Sequence, residues 1–159
     1  AFALSFKEEI AGETFFAALA ETEPDPRQAA LGAKLALIKT RTIAALSPLA
    51  TAMGPPPVDK AAVRREGRDE AADWQALPFA EGMAIGVRDY PTGYEQEFRV
   101  VRPIALPQAK CAVQLLIDHE VAITDMARAE LARAFGPAAP LDTYLAQVAG
   151  GTAGGAHDR

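Results

Sequence analysis

The chain has little of what usually announces an activity. Among its 159 residues Cys111 is the single cysteine, which excludes an intrachain disulfide and every Cys-rich metal motif. A reducing, cytoplasmic setting is the expectation that follows. Long apolar runs are missing too: the longest, TIAALSPLATAMG, falls short of the ~20 residues that cross a bilayer and carries Pro48. No membrane association is expected. The opening AFALSFKEEI has no basic segment ahead of a long apolar one and does not read as a signal peptide. Positive charge is never concentrated, since the net charge is −5 and Arg64, Arg65 and Arg68 alternate with Glu66, Asp69 and Glu70. That pattern describes a solvated helix face, so no nucleic-acid partner is expected. No Ser-His-Asp arrangement can be assembled, and the glycines from Gly150 to Gly155 follow no strand, as a phosphate-cradling loop would.

What is present is helix. Half of the residues are hydrophobic and 23% are charged, the balance of an ordinary globular chain with one core. Strand signals are scarce. Ser5 and Glu8 fit a capping box ahead of FKEEIAGETFFAALAE, whose apolar positions include Phe6, Ile10, Ala17 and Ala20. Asp25 and Pro26 suit the start of a second helix that runs through Leu31, Leu35, Ile38, Leu46 and Leu49, with a kink or restart expected at Pro48. After the stiff connector at 54–57, Asp59 caps a third helical region over 60–90, interrupted near Pro78. Residues 91–106, with two prolines and a glycine, read as a crossover connection. Pro107 to Phe135 is a long fourth helix ended by Gly136 and Pro137, and PLDTYLAQVA is a short last one. The expectation is all-α: one helical-bundle domain over 1–149 and a flexible Gly-rich tail over 150–159 that contains His157.

Two carboxylates interrupt the apolar stripes. Glu13 lies three residues after Ile10 beside Phe16, and Glu120 lies four after Leu116 and three before Ile123. Carboxylates that face inward from different helices converge, which is how bundles build metal sites. His119 sits next to Glu120, but neighbours on a helix point about 100° apart, so a regular helix is expected to leave His119 as a flank residue.

Over residues 3–135, EEIAGETFFAALAE, KLALIKTRTIAALSPLATAMG and LLIDHEVAITDMARAEL resemble the first, second and fourth helices of the ferritin-like superfamily, including rubrerythrin-type bundles. The resemblance implies a four-helix bundle with a short additional C-terminal helix. It also implies a di-metal centre made of two single glutamates and two Glu-x-x-His pairs. Glu13 matches one single glutamate and Glu81 is the candidate for the other. On the second helix the pair becomes Lys39 and Thr42; on the fourth it becomes Glu120 and Ile123. A lysine in place of a carboxylate removes a ligand and adds a competing cation.

The leading expectation is therefore a bundle whose di-metal centre has decayed to a buried salt bridge of Lys39 with Glu13 and Glu120. Such a protein needs no cofactor and acts as an interaction or binding module, as a homodimer or with a protein partner. The alternative is a divergent di-iron-type oxidoreductase that binds iron or another divalent metal through Glu13, Glu81, His119 and Glu120. A third class, a bundle with an apolar cavity near Trp74 and Tyr94 for a small molecule, leaves no motif by which to recognise it.

Overall fold

The computed structural model describes residues 2–54, 58–89 and 93–153, and these form an all-α structure. Seven helices follow one another among the described residues: α1 (Phe2–Thr22), α2 (Pro26–Met53), α3 (Lys60–Trp74), α4 (Phe79–Asp89), α5 (Tyr94–Ile104), α6 (Pro107–Leu131) and α7 (Ala139–Ala153). Tyr90 and residues 154–159 of the expected tail lie outside the described residues.

Local chemistry sets most of the boundaries. Asp25 accepts from the backbone N–H groups of Arg27 and Gln28 ahead of Pro26 at the first helical position, and Asp59 does the same for Ala61 and Ala62. These bonds satisfy amides that have no partner inside the helix. Gly54 closes α2 in the left-handed region at φ 57°, a conformation that suits glycine. α6 stops four residues before Phe135 because Arg133 turns left-handed at φ 51°. The amides of Arg133 and Ala134 then bond the carbonyls of Glu130 and Ala129, the paired bonds of a Schellman ending.

Several expectations need correction. α1 starts at Phe2, so Ser5 lies inside the helix and does not cap it. α2 runs through Pro48 as one helix of 28 residues. The expected crossover over 91–106 contains α5, and Pro103 sits in its last turn, so the bond lost with its missing amide is one of the last of the helix. α7 extends to Ala153, so the first residues of the Gly-rich stretch are helical.

α1 packs on α2 and α3; α6 packs on α4, α5 and α7; α2 touches both α6 and α7 and joins the two groups. Two apolar cores result. One gathers Phe15, Phe16, Leu35, Ile38, Met126, Leu141 and Tyr144, and the other gathers Phe6, Ile10, Leu46, Val63, Leu116 and Ile117. Along α1 and α6 the chain passes from the second core to the first, and along α2 it passes back. The residues at each changeover are polar and buried: Glu9 on α1, Lys39 and Thr42 on α2, His119 and Glu120 on α6. A polar belt thus separates two apolar halves.

Candidate metal centre

Each member of the belt is carried there by helical periodicity. Glu9 follows Phe6 by three residues and precedes Phe16 by seven, so it shares their buried face. Lys39 follows Leu35 by four. Its stem runs along Gly12, where an added Cβ would stand 3.0 Å from the lysine Cε. A glycine at this point of α1 leaves the room in which the ammonium reaches Glu9.

The Lys39 Nζ donates to Glu9 Oε1 at 3.1 Å and lies 3.8 Å from Glu120 Oε1. His119 is fully buried between the two carboxylates: its Nε2 is 3.3 Å from Glu9 Oε2 and its Nδ1 is 3.2 Å from Glu120 Oε1. Neither close pair has the angles of a hydrogen bond, and both ring nitrogens, Glu9 Oε2 and Glu120 Oε2 are left without hydrogen-bond partners. Burial by itself would push the Glu120 carboxyl up. The charges of Lys39 and then His119 outweigh it and hold the group below its usual value. Glu120 is therefore an anion in an apolar interior.

Above the belt, Thr42 donates to the Ile38 carbonyl at 2.9 Å and shares a 2.6 Å hydrogen bond with the Tyr144 hydroxyl from α7. Burial pushes the Tyr144 phenol well up, against the smaller downward pull of Thr42, so it stays neutral. On the other side a cavity of about 230 Å³ reaches the belt, with Glu9, Lys39 and Glu120 in its wall and Glu8, Glu70 and Tyr94 further out. Partial burial, and then the charges of Glu8 and Asp73, push the Glu70 carboxyl up, so the approach to the belt carries crowded negative charge.

Of the residues marked in the sequence, His119 and Glu120 are brought together, and Lys39 stands between Glu120 and a carboxylate of α1. That carboxylate is Glu9. Glu13, one turn further along, is only partly buried; it accepts from Thr40 at 2.7 Å and lies 3.7 Å from Arg64. The salt bridge expected for Lys39, Glu13 and Glu120 is thus made with Glu9 in place of Glu13. Glu81 is exposed in the first turn of α4, away from the belt.

His119 is not the flank residue that a one-sided helix implies. α6 is covered by α7 as well as by the other helices, so positions 119, 120, 122, 123, 124, 126 and 127 are all buried. In such a surrounded helix two neighbouring side chains both point inward and bend toward one region. His119 also lies 5.9 Å, centroid to centroid, from the Tyr144 ring.

One ligand atom each from Glu9, His119 and Glu120 lie within 4.8 Å of one another. An ion bound at ~2.1 Å from each ligand in tetrahedral geometry holds ligand pairs about 3.4 Å apart, so these side chains would draw together by up to roughly an ångström and a half to close on one cation. The mixed nitrogen and oxygen donor set suits zinc, iron or manganese. A second ion finds no comparable set among the described residues. Lys39 and Thr42 occupy one of the implied pairs, and Ile123 lies buried in the apolar core at the other.

Compared with known proteins, the chain matches no family model, no curated protein and no solved structure.

Proposed function

We propose that the chain is a ferritin-like four-helix bundle with a short additional C-terminal helix, α7, in which the di-metal centre has shrunk to a site for one divalent cation. The ligands are Glu9, His119 and Glu120. The observation that carries this reading is the convergence of four buried polar atoms without hydrogen-bond partners, contributed by those three side chains. Buried polar atoms in native interiors are paired with protein, water or a ligand, and a shared cation satisfies several of them at once. Lys39 supplies the positive charge that a second ion would have given. Glu8 and Glu70 raise the negative potential along the cavity by which a cation would approach. A redox-active ion held there supplies one-electron chemistry, and zinc supplies Lewis acidity.

The test is a metal count. After equilibration with Mn(II) and removal of excess, elemental analysis is expected to find one ion per chain, with affinity reduced at least tenfold in His119→Ala and in Glu9→Gln. Two ions per chain, or retention unchanged by both substitutions, would sink the proposal.

A second reading is favoured by the Lys39 hydrogen bond to Glu9. Here Lys39 bridges the two carboxylates without an ion, and the belt acts only to fix the helices in a binding module. This reading predicts no retained metal, with His119→Ala acting on stability alone.

A further inference from the structure

Thr124 departs from what the other helical threonines do among the described residues. Thr14, Thr22, Thr42, Thr51 and Thr143 each donate the hydroxyl to the carbonyl four residues back, and Thr40 donates to Glu13. That bond is the ordinary way to satisfy a hydroxyl inside a helix. Thr124 is buried, and its Oγ1 has no partner at all. Leaving a hydroxyl unpaired in a dry interior forfeits much of what a hydrogen bond is worth, so its presence needs a reason.

The residue lines a second cavity, of about 310 Å³, whose walls include Phe15, Leu19, Trp74, Met83 and Met126. Thr124 is the one buried side chain of that lining with an unpartnered polar atom among the described residues. The cavity is separate from the charged one described above. Phe15 and Trp74, edge to face with centroids 5.3 Å apart, line both and form the partition. Thr22, Glu23, Gln28 and Gln75 also border the cavity; beside the aromatic and methionine walls water gains few hydrogen bonds, whereas an apolar guest gains contact there. At ~30 Å³ for each water-sized group, the volume holds about ten heavy atoms.

We infer that this cavity is a binding site for a small, largely apolar molecule of about ten heavy atoms whose one hydroxyl or carbonyl group pairs with Thr124 Oγ1. A largely apolar lining with a few placed polar groups is the usual composition of a small-molecule pocket, and Thr124 is the buried one here. The inference does not depend on any ion at the polar belt. Thr124 lies one helical turn from Glu120, so the polar end of the guest is held near the belt while its apolar body extends toward Met83.

Trp74 is the only tryptophan of the chain and stands in the partition between the two cavities, so its fluorescence senses a guest and variants on the Thr124 side assign the shift to this cavity. The full-length chain is titrated with 2-phenylethanol and with ethylbenzene, which differ by the hydroxyl. Both are expected to shift the emission saturably, with the alcohol about fivefold tighter, the ratio that one net hydrogen bond supplies. In Thr124→Val, which keeps the shape and removes the hydroxyl, the preference is expected to vanish while ethylbenzene binding is retained. Ala127→Leu, which fills the cavity from α6, is expected to abolish both shifts with helix content unchanged. Absence of a saturable shift with either probe overturns the inference, as does an undiminished preference for the alcohol in Thr124→Val.

Discussion

At Lys39 one ammonium serves two carboxylates, 3.1 Å from Glu9 and 3.8 Å from Glu120. Removing one partner of such a buried pair typically costs about 3–5 kcal/mol because the charge left behind stays buried. The consequence for pH is fixed in sign by Glu120, whose carboxyl is held below its usual value by Lys39 and His119 against the upward push of burial. Protonation is then weaker in the folded chain than in the unfolded one. The stability contributed by this anion is fully present above the ordinary value of 4.5 and is lost as pH falls through the depressed folded value. Urea unfolding of the wild type and of Glu120→Gln at a series of pH values measures this directly. Their difference in stability is expected to stay constant above about pH 5 and to shrink steadily below about pH 4. A difference that remains flat down to pH 3 would show that the fold does not hold the Glu120 carboxyl below its ordinary value. At this scale the sequence was partly legible. The stripe argument selects the face that Glu9 and Glu13 share, being four residues apart, but not the depth along it. Only the level of Lys39, with Gly12 opposite, distinguishes them.

Elements were easier to read where caps and stops are chemical and harder where they depend on neighbours. Asp25, Pro26 and Asp59 mark their helices in any context. α5 carries the opposite signs, Gly93 before it and Pro103 within it. It is helical because Phe98 packs against α6 and because its proline falls in the final turn. The closest approach between elements is equally invisible in the sequence. Gly67 lets α3 press on α1 so tightly that an added Cβ would lie 2.3 Å from the Ala11 carbonyl oxygen. In an exposed helix, Gly→Ala gains about 1 kcal/mol from helix propensity. At Gly67 the obstacle is backbone, which cannot rotate aside, and overpacking of this kind costs about 1–3 kcal/mol. Gly67→Ala is therefore expected to lower the thermal midpoint, by several degrees as read by circular dichroism. A raised midpoint would mean that α3 sits further from α1 than described.

Over the whole molecule the all-α class follows from periodicity, because stripes at helical spacing recur along the chain with almost no alternating segments to compete. The polar belt is harder to foresee, since it is a relation among three helices that are far apart in sequence. Each stripe taken alone looks like apolar surface with one charged exception. The distribution of burial also implies unequal local stability. α6 is buried from Val113 to Ala127 on several sides, whereas α5 places Phe98 in the core and leaves Val100 at 65% and Ile104 at 80% exposure. An element with one buried anchor opens without disturbing the rest, and an element that carries both cores opens only with the global transition. Native-state hydrogen exchange is expected to show the amides of Glu97 to Arg102 exchanging at least about a hundredfold faster than those of Ile117 to Ile123, relative to their intrinsic rates. Urea at sub-denaturing concentrations should accelerate the α6 amides with the full dependence of global unfolding while leaving the α5 amides nearly unaffected, because local opening exposes little new surface. Equal protection in the two helices would mean that α5 belongs to the same cooperative unit as the belt.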